Sequence, residues 1–166
     1  PYILAASKVK LVLSTQSERF PHLTYFFNCG TDLQMPGEQN ILIPTPKAES
    51  PEMFPESQSF KIADVLMRSW DVPPSGVFIV NIPAAALAAR TGRFDKTIEA
   101  AQFVDTCLGG IAERILGLGG RMMITSSHGS IEDMTDILAG EPKGYTTSNP
   151  VPFIFADETS TNTIRT

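Results

Sequence analysis

The chain has 166 residues, 42% of them hydrophobic, and a mean hydropathy of +0.01. That is enough apolar side chain for a packed core, and it excludes global disorder. Thirteen Lys and Arg against 18 Asp and Glu give a net charge of −5, which argues against the basic surface of a general nucleic-acid binder or membrane-surface protein. A local pocket for a small anion is left open.

No apolar run approaches the ~18 residues of a membrane-spanning helix. PYILAAS at the start has neither the basic region nor the long apolar segment of a signal peptide; a targeting segment removed ahead of Pro1 would leave no trace. Cys29 and Cys107 have no CxxC spacing, so two reduced, mostly buried thiols are expected. The length predicts a single domain over 1–156, with the polar tail 157–166 mobile or bound to another molecule.

In chain order, KLVLST (10–15) is a short apolar run with β-branched residues and reads as a strand. Ser17 can cap a helix that carries Phe20, Leu23, Thr24 and Phe27 on one side, with Pro21 in its first turn. NCG (28–30) ends it. Residues 31–59 hold five prolines and little periodicity, which predicts one long loop containing ILIPTPK (41–47). FKIADVLMRS (60–69) has helical spacing. VFIVNI (77–82) is apolar without alternation, as in a strand buried on both faces. The segment from Ile82 to Lys96 is a loop or weak helix. Residues 96–120 form the strongest helix, with an apolar stripe through Ile98, Ala101, Phe103 or Val104, Cys107 or Leu108, Ile111 and Ile115 or Leu116, and a glycine stop. RMMITSS is the next strand, SIEDMTDILAG a short helix or turn, and VPFIFA (151–156) the last strand.

Strand, helix and strand joined at short glycine junctions predict an α/β fold with a mostly parallel sheet. Sites in such sheets lie outside the carboxyl ends of the strands. Here those ends carry NIPAAALAAR and TSSHGS. Ser126 and Ser127 beside His128 do not make a nucleophile and base, because sequence neighbours at a strand end point different ways and no third group is evident. GLGG (117–120) is a helix stop without the context of a nucleotide loop. Asp95, Lys96 and Glu99 suit a helix start electrostatically.

Six blocks, in order from about residue 17 to 155, resemble the cofactor-independent phosphoglycerate mutases of the alkaline-phosphatase superfamily. They are SERFPHLTYFFNCG, PGEQNILIPTPK, the NIPAAALAARTG block, TIEAAQFVDTCLGGI, GGRMMITSSHGS and TTSNPVPFIF. The resemblance implies a partial doubly wound, mostly parallel sheet flanked by helices, equivalent to the C-terminal part of the phosphatase domain. The family enzyme is much longer. It adds a strand with a metal-binding aspartate, a nucleophilic serine and an inserted transferase domain. Its chemistry is phosphoryl transfer through serine with two manganese or similar ions.

On this resemblance, the family's metal-binding aspartate and histidine in NFANPDMVGHTG fall on Ala86 and Arg90. Those in ITADHGN fall on Ser127 and His128, and the histidine of HTTNPVP falls on Thr146. Of five ligands implied here, only His128 stands. Alanine cannot coordinate, an arginine repels cations, and neutral hydroxyls are weak ligands. The expectation is therefore no metal and a pseudoenzyme whose scaffold serves as a structural or binding subunit among other protein subunits. One alternative is a split mutase whose other half lies on a second chain. Another is a metal-free binder of phosphorylated small molecules.

Arg19 matches a family lysine near the substrate phosphate, so Arg19 with Arg90 could bind an anion; Arg90 could instead fill the emptied metal position and pair with a carboxylate. His128 would be a hydrogen-bonded relic, His22 a packing or capping residue, and Lys47 a surface lysine. The resemblance implies a cytoplasmic protein, or an organellar one if a targeting segment was removed.

Overall fold

The computed structural model describes residues 1–44, 55–70, 76–136, 140–143 and 146–159. The chain divides into two compact units, Pro1–Pro83 and Ala84–Thr166.

In the first unit, α1 (Tyr2–Ala6) leads into β1 (Leu11–Gln16), whose six residues are all buried. A 3-10 turn at Ser17–Arg19 continues into the short α2 (Phe20–Leu23), with Pro21 in its first turn, where a missing N–H costs nothing. Next come β2 (Glu38–Ile43), α3 (Pro55–Arg68) and β3 (Val77–Val80). The sheet order is β2-β1-β3, and both pairings are parallel.

The pleat assigns the two faces of β1. Leu11 and Leu13 pack with Leu23, Leu4, Phe27, Val77 and Ile79. Val12 pairs in register with Phe78, against which Trp70 sits edge-on at 6.0 Å, so α3 covers the opposite face. Ile62, Ala63 and Leu66 form the buried stripe of that helix.

The second strand corrects the expectation of one long loop over 31–59. Residues 38–43 form β2, and helix α3 starts at Pro55 instead of Phe60. Proline density hid the strand, because EQNILI has no clean period of two. Its burial pattern is equally irregular, with only Glu38 and Ile43 buried.

In the second unit, α4 (Ala84–Ala89) and α5 (Phe94–Leu116) pack through Ala84, Ala88 and Ala100, with Val104 alongside. Methyl side chains let the two backbones approach closely. The segment read as loop or weak helix thus holds a six-residue helix. The long helix stops at Leu116 rather than 120, because Gly119 takes φ +73° and its N–H bonds the Leu116 carbonyl at 2.9 Å. Strand β4 (Met122–Thr125) pairs antiparallel with β5 (Phe153–Ala156). SIEDM is a turn rather than a helix. No described helix is long and apolar enough to cross a membrane.

Cys107 is buried as expected. Cys29 is not: it is exposed in the turn after α2 at φ +58°, and both thiols are free. Lys47 and tail residues 160–166 lie outside the described residues.

Candidate functional site

The sequence points to the carboxyl end of β4, where MMIT gives way to SSHG. Backbone polar groups run out of ladder partners there, and small residues let the chain turn. The Ser126 hydroxyl closes the turn by donating to the His128 carbonyl at 2.7 Å. Ser127 Oγ lies 2.6 Å from His128 Nδ1. This corrects the expectation that these neighbours point apart; the tight turn brings them together. His128 and Ser127 are both exposed.

The turn leads to Gly129, which is buried. Its carbonyl accepts from the Thr147 N–H at 2.9 Å, so the loop after β4 is bridged to the loop before β5. Glu132 closes the same junction. Its carboxylate accepts the Thr147 hydroxyl, the Asn149 amide at 3.1 Å and the Ser130 N–H at 2.7 Å. These donors, the Thr147 hydroxyl foremost, pull its pKa down from 4.5 to about 2. Sequence reading missed Glu132, Thr147 and Asn149. Their signal was a carboxylate beside Asp133 in a turn and two polar residues of the TTSNPVPFIF block.

The remaining candidates fall as follows. Ala86 is a half-buried residue of α4, and Thr146 is exposed just before the Gly129–Thr147 bridge. Arg90 is exposed and makes no ion pair or hydrogen bond among the described residues. The carboxylate pairing expected of it is not found, and nearby Asp95 is engaged by Arg93 at 2.7 Å. Arg19 belongs to the other unit, where it lies 3.4 Å from His22 Nε2, and the His22 ring sits 5.5 Å from that of Phe26. Arg19 and Arg90 thus lie in different units. Among the described residues, no three His, Cys, Asp or Glu side chains are grouped so as to hold a metal ion.

The motif residues shared by HLTYFFN and PGE have a structural use. Asn28, 1% exposed, donates from Nδ2 to Glu38 Oε2 at 3.2 Å, and the Met35 N–H donates to the same oxygen at 3.0 Å. This buried pair fastens the turn after α2 to the start of β2.

Comparison with known proteins fits this geometry. The chain is 36% identical over 147 residues to the 2,3-bisphosphoglycerate-independent phosphoglycerate mutase of Shewanella sp. (strain W3-18-1), which covers 89% of this chain and 29% of that protein. The enzyme of the same name from Acinetobacter baylyi is 32% identical over 158 residues, 95% of this chain and 30% of its own length. That of Clostridium botulinum (Type A) is 33% identical over 159 residues. The chain thus spans about three tenths of the length of these curated relatives. A crystal structure of Leishmania mexicana phosphoglycerate mutase, obtained at low cobalt concentration, superposes with a TM-score of 0.83 at 21% identity over 96% of this chain and 31% of that one. At that identity the likeness shows the fold, an alkaline-phosphatase-like α/β arrangement. The family model described as the Metalloenzyme superfamily matches residues 2–166, and the chain belongs to that superfamily.

Proposed function

We propose that this chain is a phosphoglycerate-mutase-like domain segment without phosphoryl-transfer chemistry of its own, acting as a structural or binding subunit of a larger assembly. The donor chemistry at five positions carries this reading. Two divalent ions that clamp attacking and leaving oxygens need carboxylates and imidazoles. The residues present do not fit such a pair. Ala86 has no donor atom, Arg90 is a permanent cation, and Thr146 and Ser127 are neutral hydroxyls. Ser127 is moreover hydrogen-bonded to His128. A single imidazole does not hold a divalent ion against water. Glu132, four residues beyond His128, is engaged with three donors.

The need for a partner is supported by β4 and β5. Their sequences are apolar without alternation, yet Met123 is 70% exposed and Phe153 64%, with Ile154 and Phe155 also exposed. A contiguous apolar surface of this kind is the mark of an interaction face. Native mass spectrometry of the chain purified from its source tests the reading. The expected spectrum shows an assembly with other subunits and no bound manganese or zinc. Two metal ions per copy of this chain would overturn it, and so would a partnerless chain.

A further inference from the structure

The loop between α2 and β2 folds around a buried carboxylate. Glu38, the first residue of β2, donates its N–H to the Met35 carbonyl at 2.9 Å, and its own carbonyl accepts the Gln34 side-chain amide at 2.7 Å. Its side chain turns back into the loop, where Oε2 accepts the Met35 N–H at 3.0 Å and Asn28 Nδ2 at 3.2 Å. Glu38 is 8% exposed and Asn28 1%. The two hydrogens of Asn28 Nδ2 have two acceptors, Glu38 Oε2 and the Leu33 carbonyl at 3.4 Å. That fixes the amide, because turned over its oxygen would face two other oxygens. Asn28 Oδ1 is therefore an acceptor, and it has no hydrogen-bond partner; neither has Glu38 Oε1. Among the described residues no Lys, Arg or His forms an ion pair with Glu38. A carboxylate withdrawn from water is strongly unfavourable unless an opposite charge or a metal ion answers it.

We propose that Glu38 Oε1 and Asn28 Oδ1 bind a monovalent metal cation, sodium or potassium, which fastens the loop 28–38 to the start of β2. Hard cations take carboxylate and amide oxygens, and the two oxygens without partners belong to side chains already in contact. One positive charge matches the single carboxylate, where a divalent ion would leave an excess. A water molecule can donate to both oxygens but leaves the charge unanswered. The site lies within the first unit and shares no residue with Ala86, Arg90, Ser127, His128 or Thr146. It is thus independent of the subunit reading.

The test is urea unfolding of the full 166-residue chain, followed by Trp70 fluorescence, in sodium, potassium and choline chloride at one ionic strength. Above the dissociation constant, each tenfold rise in sodium or potassium is expected to raise the folding constant of the first unit about tenfold, with choline giving no rise. Glu38→Gln keeps the size and removes the charge, and is expected to abolish the difference between the salts. Amide exchange on the wild type locates the effect without a variant: the Met35 amide is expected to gain protection in sodium or potassium, while amides in α5 keep their rates. Equal wild-type folding constants in the three salts would overturn the proposal, as would a sodium or potassium effect that persists in Glu38→Gln. Should that variant not fold, exchange at Met35 that is the same in all three salts overturns it.

Discussion

Replacing Asn28 by alanine probes the contact that joins the turn after α2 to β2. Asn28 and Glu38 are 1% and 8% exposed, so water does not readily substitute for a lost partner. Glu38 Oε2 has two donors, at 3.0 and 3.2 Å, and Oε1 has none among the described residues. Removing the amide leaves a buried carboxylate with one hydrogen bond. A hydrogen bond to a charged group contributes about 1.5–3 kcal/mol net, and the deleted side chain adds a small cavity. The expected destabilisation is about 2–4 kcal/mol. With a urea slope near ~2 kcal/mol/M, the midpoint of the first unit's transition drops by about 1–2 M. Trp70 packs in this unit and reports the transition by fluorescence. Glu38→Gln in the Asn28→Ala background removes the stranded charge, and is expected to recover part of the loss. A midpoint shift below ~0.3 M for Asn28→Ala would refute the reasoning, because the pair would then contribute nothing despite its burial.

Two further predictions concern the second unit. Glu132 titrates at about 2 when folded, below its ordinary 4.5. A depressed folded pKa stabilises the fold above the unfolded pKa, and that contribution is lost as pH falls from about 4.5 through about 2. The stability gap between wild type and Glu132→Gln should therefore be constant above about pH 5 and close towards pH 2, as read by denaturant titrations across that range. A gap that widens on acidification would contradict the assignment. Cys107 is 3% exposed and burial raises its thiol pKa, whereas Cys29 is exposed. A thiol reagent at pH 8 should label Cys29 at once and Cys107 only as α5 opens, at least about a hundredfold more slowly. Equal labelling of the two in the native protein would mean that α5 is not packed as described.

The elements that local pattern controls were legible in the chain. The β1 run LVLST, the β3 run VFIV and the long helix α5 carry their own periodicity, and all three lie within a few residues of where it put them. The residue types at Ala86, Arg90, Ser127 and Thr146 were equally legible, because whether a side chain carries a carboxylate or an imidazole is a property of the residue itself. Other features depended on groups far apart in sequence. Strand β2 exists because β1 offers a parallel edge to EQNILI, which has no strand pattern alone. The surroundings of Arg90 were not legible: among the described residues no carboxylate pairs with it. The Ser127–His128 contact was misjudged, because a turn, not a strand, sets those side chains. Glu132 gained its partners only when folding brought Thr147, 15 residues on, and Asn149, 17 residues on, to its carboxylate. What the amino-acid sequence determined by itself was most of the secondary-structure skeleton and the residue types at each strand end. Which polar groups meet there was decided by tertiary structure, since a hydrogen bond between distant residues leaves no periodic trace in the chain that makes it.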